Sequence, residues 1–343
     1  MKKLLLNGHR YLSFFLLGNK LSRKQFKVLT AYLRISGWHR VYEHVLKRYD
    51  KKLSFPENLQ EEGKTFTGRG YGANTLNTYR KVYLGGEPAF EKVYFKKYPD
   101  FKKCKYFYDQ VRDKLQEKGI HTPELLSIRE GKKLALMYFQ YIDLPKKQST
   151  LEQDVQRALS ISQTLGQIEV ESPCMKDAFL LDFESDPMVK KRLRLLRKKI
   201  RAEFREAGIE DPAPRKELKK LALQFLQDLK QGERILQHGD LYWDNFSHSH
   251  VIDWDRMGLY PFGYDLGLIL AFYKLQRREQ VTPEDILEEI AQMGYHNPRQ
   301  VGSMYFFTVL FLISRSEPNQ QNFTKLVAHL KNIQVNENTG LYA

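Results

Sequence analysis

The chain has 343 residues with 42% hydrophobic and 13% aromatic content, so it can bury a large core, and its length favours two lobes or domains over one. Its two cysteines stand far apart in sequence, which argues against a disulfide framework or a structural zinc site and fits a reducing compartment. A formal net charge of +15 predicts attraction to an anionic partner, which a nucleotide, a phosphorylated substrate, nucleic acid or a membrane surface would each satisfy.

The first fifty residues are basic and contain two segments with apolar residues at helical spacing, separated near Gly37. We expect a pair of short amphipathic helices with basic outer faces, which could dock on the body of the protein, lie on anionic lipid or simply face solvent. The polar run 7–10 interrupts the apolar start of the chain, so no signal peptide is predicted. No apolar stretch approaches the ~20 residues that span a bilayer, which predicts a cytoplasmic protein, peripheral to the inner face of the membrane at most.

The spacing of apolar residues becomes typical of strands near residue 64. Gly68, Gly70 and Gly72 precede a predicted strand over residues 78–84, and a second strand is predicted over residues 89–96 after a glycine turn. Clustered glycines are often only turn residues, but they also let backbone N–H groups approach phosphate oxygens closely. The glycine cluster is therefore either a plain turn or a phosphate-binding loop.

The second of these strands carries Lys92, and strand alternation places its side chain on the face opposite Val93 and Phe95. We choose Lys92 as the lysine that contacts phosphates. Three neighbouring lysines are rivals for this role: Lys81, Lys96 and Lys97. A helix is predicted over residues 101–118, followed by strands over residues 125–128 and 134–139 and a helix over residues 151–170.

A strongly basic amphipathic helix is predicted over residues 190–205. Its apolar stripe runs from Val189 to Phe204 at helical spacing, and lysines and arginines fill the remaining faces. The basic face could be merely solvated, or it could meet an anionic substrate or a membrane. Nucleic acid is not favoured, because the helix lacks interleaved aromatic residues on which bases would stack.

Polar residues then follow at fixed spacing in His238-Gly-Asp-Leu-x-x-x-Asn245, with Asp253 after an apolar pair. These spacings let Asp240, Asn245 and Asp253 point into one cleft. Phosphoryl transfer requires a carboxylate that orients or deprotonates the attacking hydroxyl, and oxygen ligands for the Mg²⁺ that neutralises the phosphates. We assign the first role to Asp240 and the second to Asn245 with Asp253. A polar turn is the plain alternative, although turn chemistry does not require the later aspartate.

This pattern, with Gly263-Tyr-Asp265-Leu further on, resembles the aminoglycoside phosphotransferase and choline kinase group of protein-kinase-like enzymes. The resemblance is strongest over residues 236–270. It implies a nucleotide-binding lobe joined to a helical catalytic lobe, and transfer of the γ-phosphate of ATP, with Mg²⁺, to an alcohol group.

The resemblance also implies roles for residues outside the motif. The glycine cluster would form the flap over the phosphates of ATP, and residues 140–144 would form the hinge whose main chain binds adenine. Lys92 would pair with an acid on the helix that follows, for which we favour Asp109 over Glu117. Within the motif region, His238 would brace the loop and Asp265 would fix it through backbone hydrogen bonds.

Two further acids near the motif, Asp244 and Asp255, are expected to be peripheral polar residues. In the helical part that follows, the sequence Thr282-Pro-Glu-Asp285 predicts a capped helix start with structural carboxylates, and residues 304–313 predict a buried helix.

We therefore predict an α+β, protein-kinase-like two-lobed fold with an N-terminal basic helical extension over residues 1–55. The nucleotide-binding lobe covers residues 56–144, and the helical catalytic and substrate lobe covers residues 145–343. The acceptor is a hydroxyl of a small molecule or a glycan, such as a surface-polysaccharide or lipopolysaccharide sugar, and the basic segments favour an acidic acceptor. The alternative is a non-catalytic kinase-like adaptor that binds anionic polymer or membrane, because the acidic partner of Lys92 matches the family pattern poorly.

Overall fold

The structure is a computed structural model in which the chain forms two compact units. The first unit comprises Met1–Lys102 with Pro123–Asp143, and the second comprises Lys103–Thr122 with Leu144–Ala343. The structure describes residues 26, 29, 30, 33, 38–61, 75–144, 149–170, 194, 198, 234–242, 244–247, 249–277 and 281–315. The glycine cluster and most of the basic helix predicted over residues 190–205 therefore lie outside the described residues.

Antiparallel strands form the sheet of the first unit: β1 (Leu59–Glu61), β2 (Thr75–Leu84), β3 (Glu87–Phe95), β4 (Leu125–Glu130) and β5 (Leu134–Gln140). Their order across the sheet is β1-β2-β3-β5-β4, which places β3 at the centre. The four strands predicted from the sequence are confirmed, with boundaries that differ by at most three residues. Tyrosine, phenylalanine and β-branched residues at alternating positions favour strands in these segments.

The N-terminal segment packs against this sheet. It contains helical residues upstream of Trp38 and the helix α1 (His39–Tyr49), as the apolar spacing predicted. One buried cluster joins these helical residues to β3 and β5: Phe26, Leu29, Leu33, Tyr42, Val45, Leu46, Val93, Phe95, Leu134 and Leu136. The described apolar residues of the segment are therefore covered by the sheet, and Arg40, Lys47 and Arg48 of α1 remain exposed.

A buried ion pair also joins α1 to the sheet. The Arg80 side chain on β2 is fully buried and donates to Glu91 of β3 at 2.9 and 2.8 Å and to Glu43 of α1 at 3.0 Å. The Tyr138 hydroxyl donates to Glu91 at 2.9 Å, and the Tyr42 ring lies 5.1 Å from the guanidinium. Buried charges are stable only when they are paired and hydrogen-bonded, so this network fixes the position of α1 on the sheet.

The carboxylate of Asp50, just after α1, binds the turn between β4 and β5. It accepts the backbone N–H groups of Lys132, Lys133 and Leu134 at 3.0, 2.5 and 2.8 Å. Burial raises the pKa of this carboxyl, but the bonds from Leu134, Lys133 and Lys132 outweigh the burial, and the pKa lies below its ordinary value. The turn and the end of α1 are thus held together.

The helix predicted over residues 101–118 is present but interrupted. The helix α2 (Pro99–Tyr106) passes into a π-helical turn, Phe107–Val111, and then into α3 (Arg112–Glu117). Gly119 follows with a φ of 76°, as is common where a helix ends. A π-helical turn widens the hydrogen-bond ladder by one residue, and the apolar spacing of this sequence did not predict it.

The other described residues of the second unit form mainly helices around a short hairpin. Its elements are α4 (Leu151–Gly166), β6 (Arg234–Gln237), β7 (Gly258–Pro261), α5 (Tyr264–Arg277), α6 (Pro283–Gln292) and α7 (Pro298–Arg315). The core lies where α5 packs against α4 and α7, and the predicted helix starting at Leu151 and the predicted buried helix near the end of the described chain are confirmed.

The predicted capping of α6 is also confirmed. The Thr282 hydroxyl accepts the N–H of Asp285 at 3.2 Å, and the Asp285 carboxylate accepts the N–H of Thr282 at 2.7 Å. These acids are therefore structural, because they satisfy N–H groups that have no partner inside the helix. Within the described part of the chain, no helix is both long enough and apolar enough to cross a bilayer.

The two acids that bind Arg80 should differ in their contribution to stability. Glu91→Gln leaves a buried guanidinium facing a neutral amide, and we expect it to lower the free energy of unfolding by about 3 to 5 kcal/mol. Glu43→Gln is the matched control: its side chain stays 25% exposed, and solvent screening limits the expected loss to about 1 kcal/mol. Chemical denaturation followed by fluorescence measures both, and equal losses would contradict the role of the buried pair.

Candidate active site

The strands β6 and β7 pair antiparallel, with Gln237 opposite Gly258, so the residues between them form one closed loop. This 238–257 loop carries all three residues assigned to phosphoryl transfer: Asp240, Asn245 and Asp253. Because the hairpin fixes both ends of the loop, a small number of hydrogen bonds inside it can set the positions of these three residues.

The loop begins with a turn that requires glycine. Gly239 has a φ of 79°, and a Cβ atom at this position would lie 2.2 Å from the Arg256 carbonyl oxygen and 2.7 Å from the Tyr260 hydroxyl. The Tyr260 hydroxyl itself donates to the Arg256 carbonyl at 2.7 Å. The absence of a side chain at Gly239 therefore lets the start of the loop contact its end.

A buried carboxylate on α5 holds the start of the loop. Asp265 accepts the backbone N–H groups of His238 at 2.6 Å and Gly239 at 3.0 Å. The N–H of Asp265 donates to Gln237 Oε1 at 2.8 Å, and the Gln237 amide donates to the Pro261 carbonyl at 2.8 Å. The prediction that Asp265 fixes this loop through backbone hydrogen bonds is confirmed.

The surroundings of Asp265 change its protonation. Complete burial raises the pKa of its carboxyl to about 7, although the N–H groups of His238 and Gly239 lower it, and the negative charge of Asp240 raises it further. Asp240 itself is only half-buried. The group that braces the loop therefore titrates near neutral pH.

The imidazole ring of His238 connects the two halves of the loop. Its Nδ1 accepts the N–H of Asp240 at 3.3 Å, so the proton is on Nε2, which donates to the Ile252 carbonyl at 2.9 Å. The ring is buried, and its centroid lies 4.6 Å from that of Trp254. Both ring nitrogens are engaged in these bonds, so His238 braces the loop, as the family resemblance implied.

The side chain of Asn245 is buried and oriented by the loop backbone. Its Nδ2 donates to the Asp240 carbonyl at 2.8 Å, which leaves Oδ1 as the atom that can face a cation. Its N–H donates to the Tyr242 carbonyl and its carbonyl accepts the N–H of Ile252, each at 2.8 Å. Asn245 is thus tied both to Asp240 and to the residue before Asp253.

Asp253 adopts a left-handed backbone conformation, with φ 65° and ψ 60°. Among the described residues it is the only one other than glycine with a positive φ, a conformation that costs a non-glycine residue about 1 to 2 kcal/mol. The next three residues form a 3₁₀ turn that buries Trp254 and Asp255, while Asp253 stays exposed. The expectation that Asp255 is peripheral is therefore wrong, because this turn carries it inward. Asp244 is exposed, as expected.

The ring of Trp254 is supported by a residue that no sequence motif indicated. Phe107, in the π-helical turn, stacks on the Trp254 ring with centroids 4.1 Å apart and an interplanar angle of 11°. Burial raises the pKa of the neighbouring Tyr108 well above its ordinary value, and the charges of Asp255 and Asp253 add to the shift. The contact between Phe107 and Trp254 joins positions far apart in sequence, so no local sequence pattern predicts it.

The chain between His250 and Asp253 is also supported from outside the loop. The Val251 N–H donates to the His121 carbonyl at 2.9 Å, and His121 and His250 form a parallel β-bridge with ring centroids 6.0 Å apart. Burial and then the neighbouring His121 lower the pKa of His250. The segment that leads to Asp253 is thus fixed through its backbone.

The residues assigned to nucleotide binding belong to different units. Lys92 is half-buried on β3 opposite Met137, with its Nζ 5.7 Å from the centroid of the Tyr94 ring. Asp109 is exposed in the π-helical turn of the second unit. The pairing of Lys92 with Asp109 stays a prediction, as does the phosphate-binding role of Gly68, Gly70 and Gly72.

The described residues contain no group of three His, Cys, Asp or Glu side chains that could hold a metal ion. Mg²⁺ does not need such a group, because it keeps several waters and is bound through one or two protein oxygens with the phosphates of the substrate. The Asn245 amide presents Oδ1 once its Nδ2 is committed to Asp240, and the Asp253 carboxylate is exposed. These two oxygen donors fit Mg²⁺.

Residues 69–297, about two thirds of the chain, match the phosphotransferase enzyme family. The chain belongs to this family. The match confirms the predicted family, and the antiparallel sheet and helical units confirm the predicted mixed fold class. It also confirms the predicted phosphotransferase class of enzyme.

Solved structures that match this phosphotransferase include spectinomycin phosphotransferase in complex with ADP and spectinomycin, 15% identical over 78% of this chain and 92% of that chain, with a TM-score of 0.44. An aminoglycoside phosphotransferase from Streptomyces rimosus in complex with ADP and streptomycin is 17% identical over 71% and 94%, also with a TM-score of 0.44. Ethanolamine kinase from Plasmodium vivax is 11% identical over 91% and 94%, with a TM-score of 0.44. No curated protein sequence matches the chain.

Adding a methyl group at Gly239 should destabilise the protein more than adding one at a glycine with the same backbone conformation in open space. Gly294 has a φ of 83° with no atom within 4 Å of an added Cβ, so Gly294→Ala should cost only the strain of a positive φ, about 1 to 2 kcal/mol. Gly239→Ala adds a clash with the Arg256 carbonyl, and we expect at least ~2 kcal/mol more. Unfolding by denaturant compares the variants, and equal losses would rule out the close approach at Gly239.

The raised pKa of Asp265 predicts a dependence of stability on pH. An unfolded aspartate has a pKa of about 3.9, so the unfolded chain releases this proton before the folded chain does. The contribution of Asp265 to the free energy of unfolding is therefore full below about pH 4 and is lost as the pH rises to about 7. Asp265→Asn cannot titrate, so the stability of the wild type minus that of the variant should fall across this window and then level off. A difference that stays constant with pH would refute the raised pKa.

Proposed function

We propose that this phosphotransferase moves the γ-phosphate of ATP to a hydroxyl group of a small molecule or a glycan. The observation that supports the proposal most is the hydrogen-bonded 238–257 loop. It holds the backbone of Asp240 through His238 and Asn245, and it connects both to the segment that ends at Asp253.

In this proposal Asp240 accepts the proton of the attacking hydroxyl as the new O–P bond forms. The bond between the γ-phosphorus and the β,γ-bridging oxygen breaks, and ADP leaves. The N–H of Asp240 donates to His238 and its carbonyl accepts from Asn245, so hydrogen bonds within the loop hold the backbone of Asp240. Such positioning is the main contribution that a protein makes to phosphoryl transfer.

Asn245 and Asp253 would hold Mg²⁺, which supplies positive charge to the phosphates of ATP. Asn245 would use Oδ1, since its Nδ2 is bound to the Asp240 carbonyl. Asp253 would use its carboxylate, which the left-handed backbone leaves exposed. On the first unit, Lys92 and the glycine cluster would contact the phosphates of ATP.

We infer that the acceptor is an acidic small molecule or glycan, such as a surface saccharide linked to a membrane, with the enzyme peripheral to that membrane. The net charge of +15 supports an anionic partner. Of the basic helix predicted over residues 190–205, the described residues Arg194 and Lys198 are helical and exposed.

Replacing Asp240 and Asp253 separately should distinguish the role of Asp240 in catalysis from the role of Asp253 in metal binding. With ATP consumption measured against a panel of hydroxylated metabolites and glycan fragments, Asp240→Asn should lower turnover by at least ~100-fold. The variant should keep the melting shift given by Mg-ATP, about 2.7 kcal/mol at a ligand concentration ~100 times the dissociation constant. Asp253→Ala should lose the Mg²⁺-dependent part of this shift.

Asp253→Gly is the control for backbone strain. Glycine accepts the left-handed conformation, so this variant should be more stable than Asp253→Ala by about 1 kcal/mol and should lose the same Mg²⁺-dependent shift. Wild-type turnover in Asp240→Asn would mean that Asp240 is not the base. Mg-ATP binding by the wild type without transfer to any acceptor would instead favour the adaptor.

A further inference from the structure

Lysines and arginines from two distant segments gather on one surface of the first unit. We call this surface the basic face; its residues are Arg40, Lys47, Arg48, Lys51, Lys52, Lys132 and Lys133, and all are exposed. Arg40 and Lys47 are seven positions apart on α1, two helical turns, so they share its outer side. Lys132 and Lys133 belong to the turn between β4 and β5.

The Asp50 carboxylate brings the two segments together. It accepts the N–H groups of Lys132 and Lys133 from one segment and that of Lys52, at 3.3 Å, from the other. The Lys133 ammonium donates to the Tyr49 carbonyl at 3.3 Å. The cations of the turn therefore lie beside those at the end of α1, in an arrangement fixed by these hydrogen bonds.

The same segments contain few acids. Residues 38–52 and 131–133 contain Glu43 and Asp50 as their only acids. Glu43 binds the buried Arg80 at 3.0 Å, and Asp50 is buried under the backbone N–H groups of the turn. The seven cations of the basic face outnumber these two acids, so the face keeps a net positive charge.

An aromatic side chain lies at the other end of α1. Trp38, directly before the helix, is 48% exposed, whereas Tyr42, Val45 and Leu46 on the inner side of α1 are buried against the sheet. A large exposed indole beside cations is typical of helices that lie at a membrane interface, where the ring sits among the lipid headgroups. The length of α1 places Trp38 about 16 Å from the last cations of the helix.

We propose that the basic face, with Trp38, docks this phosphotransferase on an anionic membrane surface. A lipid surface offers a layer of negative charge and requires only an array of cations on the protein, without a fixed pattern of donors and acceptors. The proposal names the surface responsible for the peripheral membrane role inferred above, and its test does not depend on catalysis.

Nucleic acid fits this surface less well. Binding of single strands uses aromatic rings on which bases stack. The two aromatic rings beside the basic face, Tyr49 and Phe55, each have a lysine over them. The Nζ of Lys133 lies 4.8 Å from the centroid of the Tyr49 ring, and the Nζ of Lys47 lies 5.3 Å from that of the Phe55 ring. A base could reach these rings only by displacing the cations that attract it.

Sedimentation with vesicles tests the proposal on the full chain. The wild type should bind vesicles that contain phosphatidylglycerol, should not bind vesicles of phosphatidylcholine alone, and should dissociate as salt rises. The double variant Lys51→Glu/Lys132→Glu should bind at least ~25-fold more weakly, because each cation near an anionic surface changes affinity roughly fivefold.

The control variant, Lys114→Glu/Lys118→Glu, makes the same charge change at exposed positions of the second unit and should bind like the wild type. Both variants should keep the melting temperature and any phosphotransfer activity of the wild type. Trp38→Phe should remove the blue shift of fluorescence emission that accompanies binding to anionic vesicles.

Two results would overturn the proposal. One is that the wild type fails to bind phosphatidylglycerol vesicles, whether or not its basic face binds double-stranded DNA. The other is that the two double variants lose equal affinity for these vesicles. Each of these results leaves the phosphotransferase assignment intact, and loss of transfer in Asp240→Asn leaves the membrane surface intact.

Discussion

The buried carboxylate of Asp265 is the constraint on which the candidate site depends. Most of the described residues of the 238–257 loop lie outside helices and strands, so helix and sheet ladders leave many of their backbone groups to other partners. Asp265 supplies acceptors for two of the first N–H groups, and Gln237 fixes Asp265 in turn. Burial of this carboxyl raises its pKa to about 7, and the converging N–H donors offset only part of the cost of burying its charged form.

The other contacts of the loop extend this constraint to the residues proposed to act in phosphoryl transfer. The imidazole ring of His238 accepts the N–H of Asp240 and donates to the Ile252 carbonyl. Asn245 also binds the backbone of these two residues, through the Asp240 carbonyl and the Ile252 N–H. The left-handed conformation of Asp253 leaves its side chain exposed while the next residue, Trp254, is buried. A protein that contributes mainly positioning to phosphoryl transfer needs such a loop to be rigid before substrate arrives.

Local patterns in the sequence were sufficient for much of the fold. Alternation predicted β3 and the face of Lys92, the Thr282 cap predicted the start of α6, and motif spacing placed three site residues in one loop. These features depend on neighbours within a few positions, which a single sequence records.

Features that depend on distant neighbours were missed. Arg80 and Glu43 are 37 positions apart, and Phe107 stacks on Trp254 from a π-helical turn that the apolar spacing did not predict. The same limit explains the error on Asp255, whose burial follows from packing of the 3₁₀ turn. The sequence predicted basic outer faces for the N-terminal segment, but only the fold shows that the Asp50 carboxylate joins the cations of this segment to those of a distant turn.

The most direct test of the central claim, that this loop is a pre-positioned phosphoryl-transfer centre, is a crystal structure with Mg²⁺ and a non-hydrolysable ATP analogue. The account predicts the ion at about 2.1 Å from Asn245 Oδ1 and from a carboxylate oxygen of Asp253, with Asp240 free of the ion. It also predicts that the bond from Asn245 Nδ2 to the Asp240 carbonyl is retained. An ion bound elsewhere, or an Asn245 amide that has left this carbonyl, would contradict the account.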